Sequence, residues 1–331
     1  MVDEPTASFR GIKNWFSLLT SHPRSSYLQP RPSAYVRDSV IRGLSLLRIG
    51  KFFSFLTRIS SRKVSAAEVN ISFSPALLSA SKIVAFAHYS QRVEISASDA
   101  YLISQLKASG FAVVVSSTCT SDPMEHQQLW EQWRHEIDGL ITRENIGFDF
   151  GSWSAALSSL DIGKGGINQI ILINNSVYGP LFPLEPMISE LCSRGDFFGL
   201  TASREFCPHI QSYFLGFNKA VIDHPQFREY WHGSFRGKSK WFTIFRREVA
   251  WESFFTNLGF RSAVLIEESR GFPRNPLTFL WKNLISQGFP FIKKSVFTHN
   301  YDSVDMADWE RFVTEKCPNY DTSLVLDDLK H

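Results

Sequence analysis

Residues 140–183 read LITRENIGFDFGSWSAALSSLDIGKGGINQIILINNSVYGPLFP, and this stretch decides the fold. Leu140 and Ile141 close an apolar run. Arg143, Asn145, Gly147, Asp149 and Gly151 then alternate through a turn, and residues 153–160 carry the spacing of an amphipathic helix. Ile170, Ile171, Leu172 and Ile173 form a short continuous apolar run, the pattern of a parallel strand covered on both faces. It ends in Asn174, Asn175 and Ser176, followed by Tyr178, Gly179 and Pro180. Ligands of open α/β sheets bind just beyond the carboxyl ends of strands. Each of these residue types is also common in ordinary turns. What points to a site is a cation, amides, a carboxylate and glycine-bearing backbone at two successive strand exits.

On the N-terminal side, residues 83–87 predict a strand ending in His88, Tyr89 and Ser90, where the folded core is expected to begin. Residues 99–109 predict a helix stopped by Gly110, and 111–115 a strand ending in Ser116, Ser117 and Thr118. A helix over 129–137 and a strand over 140–142 follow. The alternation implies right-handed crossovers and a parallel sheet. On the C-terminal side, helices are predicted over 187–192 and 248–258, the second carrying Glu252 and closed by Gly259, with strands over 197–200, 213–217 and 261–266. His209, Gln211 and Ser212 precede the middle strand. Phe227, Tyr230, Trp231, Phe235, Trp241 and Phe242 read as core, though such surfaces also stack on sugars or bases. The last thirty residues read as a surface helix and tail. The division is therefore an N-terminal extension over 1–75, a main domain over 76–305 and a C-terminal helix and tail over 306–331.

A chain of 331 residues with 44% hydrophobic content can bury a large core. Its net charge of +3 is small and no long basic tract is present, which argues against a nucleic-acid partner. Cys119, Cys192, Cys207 and Cys317 are far apart with no CxxC pair, so neither a zinc module nor a disulfide scaffold is indicated, and a reducing compartment fits. No stretch approaches the roughly 18 apolar residues that span a bilayer, and MVDEPTASFR lacks a signal peptide's pattern. A cytoplasmic protein is expected. Between residues 34 and 63, Val36, Val40, Ile41, Leu44, Leu47, Phe52, Phe55, Leu56 and Ile59 recur at helical spacing, with seven basic residues against the single acid Asp38. Such a helix either lies on an anionic membrane surface, at the inner face of the cytoplasmic membrane, or packs on the main domain with its basic face in water. GxGxxG, GxxxxGK[ST], HExxH and GxSxG are all absent.

The order RENIGFDFGSW (143–153), INNSVYGPLFP (173–183), DFFGLT (196–201), HIQSYFLGF (209–217), Trp251-Glu252 before a helix, and LGFRSAVLI (258–266) resembles the rhamnan synthesis protein F family over roughly residues 83–297. The resemblance implies an α/β, GT-A-like fold: a single Rossmann-type, mostly parallel mixed sheet flanked by helices, here with an N-terminal helical extension. It implies a hexosyltransferase that moves a sugar, rhamnose being one candidate, from a nucleotide-diphosphate sugar to a glycan or lipid-linked glycan of a bacterial surface polysaccharide or lipopolysaccharide. On that resemblance, His88, Tyr89, Ser90, Ser116 and Ser117 lie near the base or ribose. Arg143, Asn145, Gly147, Asp149 and Gly151 hold phosphate and sugar hydroxyls, with Asn174, Asn175 and Ser176 beside them. Tyr178, His209, Gln211 and Ser212 face the acceptor, and Glu252 takes the acceptor's proton. Asn174, Asn175 and Ser176 stand where many such enzymes carry an Asp-x-Asp pair for Mg²⁺ or Mn²⁺. Amides are poor ligands for hard cations, so no metal ligands are assigned. Either Arg143 or Lys293 replaces the metal, or Asp149 supplies a carboxylate, and no resident cofactor is expected. His299 could approach the diphosphate. The missing carboxylates also fit a second class, a non-catalytic carbohydrate-binding or scaffold module of a polysaccharide-assembly complex.

Overall fold

The computed structural model describes residues 69–160, 162, 166–204, 208–232, 248, 250–300 and 302–330. The basic helix expected over 34–63 lies outside them, as do Cys207, Phe235, Trp241 and Phe242. In chain order the main elements begin β1 (Val69–Phe73), β2 (Lys82–His88), α1 (Ala97–Ala108), β3 (Ala112–Ser117), α2 (Pro123–Trp133), β4 (Gly139–Arg143), α3 (Phe148–Ser159), β5 (Gln169–Asn174), β6 (Val177–Tyr178) and α4 (Leu184–Arg194). They continue with β7 (Phe197–Ser203), β8 (His209–Ile210), β9 (Phe214–Asn218), α5 (Pro225–His232), α6 (Trp251–Asn257), β10 (Ser262–Ile266), β11 (Ile292–Lys293), α7 (Trp309–Lys316) and α8 (Ser323–Leu329).

The strands lie in the order β1-β4-β3-β2-β5-β9-β7-β10, with β8 paired to β7. The expectation of a mostly parallel sheet is corrected here. Pairings β2–β3, β2–β5, β3–β4 and β7–β10 are parallel, while β1–β4, β5–β9, β7–β8 and β7–β9 are antiparallel. The reversal comes from β9, inserted between β5 and β7. Gly216 permits it, because the Phe198 ring fills the place a β-carbon there would take. β1 adds an antiparallel edge before Lys82, where the core was expected to begin.

Alternate residues of the central strands feed two separate cores, which is why their sequences read as unbroken apolar runs. Ile83, Ala85, Ile170 and Leu172 face α3, α5 and α6 through Trp153, Trp231, Trp251 and Phe255. Val84, Phe86, Ile171 and Ile173 face α1, α2 and α4 through Leu102, Leu106, Leu129 and Leu191. The indole N–H of Trp153 donates to the Ile173 carbonyl at 3.1 Å, so this buried ring leaves no donor unpaired. α2 starts earlier than its periodicity suggested. Asp122 accepts from the N–H groups of Met124 at 2.8 Å and Glu125 at 3.0 Å, and Pro123 occupies the first turn.

The end of the chain is no mere tail. Val313, Cys317, Tyr320 and Val325 are buried in a third cluster with Tyr178, Trp281 and Ile292. α7 and α8 thereby pack over the small sheet formed by β6 and β11.

Candidate functional site

Strand order reverses at β2: β3 and β4 lie to one side and β5 to the other. The crevice outside the carboxyl ends of β2 and β5 is therefore the topological switch point, where open α/β sheets take ligands. The Asn175 N–H donates to the Ala87 carbonyl at 3.2 Å. Its side chain clasps the Tyr89 backbone, accepting from that N–H at 3.2 Å and donating to that carbonyl at 2.9 Å. Tyr89 is left 52% exposed on a fixed main chain. Asn174 donates through Nδ2 to Asp149 Oδ2 at 2.8 Å, while its Oδ1 accepts from the Ser176 N–H at 3.2 Å and hydroxyl at 2.6 Å. Tyr89, Asp149, Asn174, Asn175 and Ser176 thus come together at adjacent exits. Ser90 takes the Arg92 N–H into its own turn.

The turn from Arg143 to Gly151 is built around a guanidinium. Arg143 is buried, donating to Ser152 Oγ at 2.9 Å and to the Ile146 carbonyl. Burial lowers its pKa to about 10, and the nearby Asp149 carboxylate opposes that shift, so it stays a cation at neutral pH. Gly147 sits at φ 81° to open α3, a left-handed conformation that favours glycine. A β-carbon on Gly151 would overlap the Ile146 carbonyl and the Arg143 guanidinium. Arg143, Gly147 and Gly151 therefore shape the turn, which presents exposed Asn145 and half-buried Asp149. Ser116 corrects an expectation. It is wholly buried inside β3 and its Oγ makes no hydrogen bond.

Behind the exits lies a charged node that the sequence reading missed. Lys294 Nζ binds Asp99 Oδ1 at 2.9 Å and Asp328 Oδ2 at 3.2 Å, and lies 4.9 Å above the Tyr178 ring. The second oxygen of Asp99 accepts from Asn175 Nδ2 at 3.0 Å, and Ser98 donates to Asp328 at 2.5 Å. His88 is buried beside them, with Nδ1 at 2.7 Å from Ser117 Oγ. Its Nε2 lies 3.5 Å from Asp99 Oδ2 but makes no hydrogen bond. Burial pushes its pKa below the ordinary histidine value, Asp99 opposes this and Lys294 adds to it. The contact is thus not an ion pair at neutral pH. Ser117 passes its hydroxyl proton toward Cys119 Sγ at 3.0 Å, and burial pushes that thiol upward, away from nucleophile chemistry. One signal for the node was legible: Ser96 and Asp99 have capping-box spacing, and Ser96 Oγ does accept the Asp99 N–H at 3.3 Å. Nothing local showed that the Asp99 carboxylate turns to residues almost two hundred positions away.

On the far half of the sheet, His209, Gln211 and Ser212 are buried along the end of β7. Gln211 accepts from Thr201 Oγ1 at 2.7 Å, and the Ser212 N–H approaches Glu248 at 3.5 Å. Tyr178 is 2% exposed, beneath Lys294. Glu252 has both oxygens engaged: Oε2 accepts the Ile210 N–H at 2.9 Å, and Oε1 takes Arg270 at 2.9 Å and Ser262 at 3.2 Å. Its side chain is 14% exposed. Its contacts hold β8 to α6 and β10, while those of Asn174 and Asn175 lie at the switch point. Lys293 pairs with Val177 in the small sheet, and exposed His299 bonds Thr298 at 2.8 Å.

Among the described residues the switch point offers a divalent cation one carboxylate, Asp149, whose Oδ2 already takes the Asn174 amide. Among the described residues no three His, Cys, Asp or Glu side chains converge as a metal site. This donor set does not fit Mg²⁺ or Mn²⁺. No helix among the described residues is long and apolar enough to cross a membrane.

A family model described as rhamnan synthesis protein F matches residues 113–331. Two curated relatives, both called virulence protein VirA and both from Vibrio anguillarum, are each 28% identical to the chain over 49% of its length. The match spans 63% of the length of those relatives.

Proposed function

Since the chain belongs to the rhamnan synthesis protein F family, and membership implies a role in polysaccharide synthesis, we propose that it is a glycosyltransferase acting on a nucleotide-diphosphate sugar. The acceptor is a bacterial surface glycan or lipid-linked glycan, and rhamnose is the first sugar to test. The observation that carries this reading is the switch point itself. Asp149, Asn174, Ser176 and Tyr89 converge there, beside the N-terminus of a twelve-residue helix, α3.

The N-terminus of α3, with its helix dipole, suits the donor's diphosphate, and exposed Tyr89 suits a nucleobase or sugar face. The acceptor hydroxyl attacks the anomeric carbon, the bond to the diphosphate breaks, and the proton passes to a carboxylate. Glu252 and Asp149 are the two candidates. Glu252 has both oxygens engaged by an N–H, a hydroxyl and a guanidinium, which limits its access to an acceptor, so we assign the proton to Asp149 and a positioning role to Glu252. The transfer runs without a resident divalent metal, at the cytoplasmic side of the membrane.

Release of nucleoside diphosphate from a panel of nucleotide sugars tests the reading. Turnover with one donor is expected, undiminished by chelator. Asp149→Asn should lose about 10² to 10⁴-fold, the range of general-base catalysis, while Glu252→Gln keeps turnover within a few fold. A folded Glu252→Gln without turnover would return the base to Glu252. Asn174 and Asn175 in place of metal carboxylates favour one other reading, a non-catalytic carbohydrate-binding module. Absence of both release and nucleotide binding would establish it over the transferase.

A further inference from the structure

The described residues include ten arginines: 92, 134, 143, 194, 204, 228, 261, 270, 274 and 311. Seven have an acidic neighbour or, for Arg143, buried hydrogen bonds: Arg92, Arg134, Arg143, Arg194, Arg261, Arg270 and Arg311. Arg228 donates to His232 at 3.3 Å. Among the described residues, only Arg204 and Arg274 have a guanidinium with neither an acid nor a hydrogen-bond acceptor, and both are exposed. Their main chains lie on adjacent, mutually bonded segments. The segment 267–275 is bound along the end of β7 by three hydrogen bonds: Ala202 N–H to Ser269 Oγ at 2.8 Å, Ser203 Oγ to the Arg274 carbonyl at 2.9 Å, and Arg204 N–H to the Phe272 carbonyl at 2.9 Å. The Arg274 guanidinium stacks 4.5 Å from the centre of the Phe279 ring, which restricts it before any ligand arrives.

Two unneutralised guanidiniums on adjacent, mutually bonded segments match the oxygens of a phosphate or diphosphate, which arginine binds bidentately. We propose that Arg204 and Arg274 form a phosphate-binding fork at the carboxyl end of β7, two strands from Asn174 at the end of β5. The group it takes is a phosphate or diphosphate, carried by a lipid-linked acceptor or by the nucleotide donor. Only the identity of that carrier rests on the transferase reading; the anion site itself does not.

The test is a calorimetric titration of the full chain with inorganic pyrophosphate at low ionic strength, for wild type and Arg204→Gln/Arg274→Gln. Both side chains are exposed, so the variant should fold, which its thermal melt checks. The variant is expected to lose at least tenfold in affinity or one of the binding sites, Arg204→Lys/Arg274→Lys should recover part of it, and rising salt should erase the wild-type advantage. Equal titrations, or no wild-type binding at millimolar pyrophosphate, overturn the fork. Farnesyl diphosphate and nucleoside diphosphate form the second and third arms. Selective loss of the first in the Gln variant identifies a lipid-linked carrier, and selective loss of the second identifies the donor. Loss of pyrophosphate binding by the variant, in a protein that releases no nucleoside diphosphate from any donor, keeps the fork and removes the transferase. Donor turnover with equal pyrophosphate titrations does the reverse.

Discussion

Replacing Lys294 with Met removes the one ammonium between Asp99 and Asp328, whose side chains are 3% and 13% exposed. Methionine keeps most of the volume and the contact with the Tyr178 ring, so the change is chiefly in charge. Two carboxylates then remain in a poorly hydrated pocket, hydrogen-bonded by Ser98, Ser96 and the Asn175 amide but with no cation between them. Removing one partner of a buried pair costs roughly 3–5 kcal/mol. With a urea slope of about 3 kcal/mol per molar, the upper end for small proteins, the midpoint should fall by roughly 1–1.7 M. The melting temperature should drop by roughly 6–20 °C at the 2–4 °C per kcal/mol expected for a domain of this size. The cause can be isolated. Adding Asp99→Asn and Asp328→Asn to Lys294→Met removes the unpaired charges and should restore most of the loss. A single variant whose midpoint moves by less than about 0.3 M would refute the claim that this ammonium holds α8 to α1. A triple variant no better than the single would show that packing, not charge, was lost.

Three other outcomes follow from the same geometry. Gly151→Ala should destabilise by about 1–3 kcal/mol, the cost of overpacking, because its methyl collides with the Ile146 carbonyl and displaces Arg143; an unchanged chemical melt would mean that the turn can open. Trp153→Ala should cost about 3–5 kcal/mol, read in the same way, since the ring is fully buried and its N–H is bonded to Ile173. The fold depresses the His88 pKa below its ordinary 6.5. The unfolded chain therefore binds the proton first, and stability falls as pH drops from 6.5 through the folded value, while above 6.5 the term is fully present. His88→Gln should flatten that acid-side slope of stability against pH, and an equal slope in both proteins would exclude the histidine as its source.

Much of the sheet was legible because doubly covered strands are apolar along their whole length, and β2, β3, β4 and β5 each ended in the polar residues that marked the exits. The switch point could be anticipated for the same reason. β9 was legible as a strand but not as an antiparallel one, because direction is set by its neighbours; Gly216 beneath Phe198 has no local signature. Helix α3 was placed five residues late, since its first turn holds Gly151 for a close approach to the Arg143 turn rather than apolar residues for a stripe. Arg143 looked like a phosphate ligand because a cation among glycines at a strand exit has that meaning in many folds. Only its burial shows that the guanidinium orders its own turn. Asp99, Lys294 and Asp328 could not be read together at all, because each is an ordinary charged residue until the fold closes the distance.

The charges at the two ends of the strand-exit surface also bear on one another. At the switch point the acid Asp149 sits with the buried cation Arg143 and the amide of Asn174. At the end of β7, neither Arg204 nor Arg274 has an ion-pair partner among the described residues. If Arg204 and Arg274 act as the proposed fork, an anionic ligand approaching this surface is steered toward β7 first, since surface charge acts over about a Debye length. If that ligand is a lipid-linked acceptor, its sugar lies toward β5 and its phosphate toward β7. This order is compatible with a donor held at α3 and with Asp149 between the two substrates. It predicts that salt should raise KM for the acceptor more than for the donor. Equal salt sensitivity of the two would mean that both substrates share the field of one site.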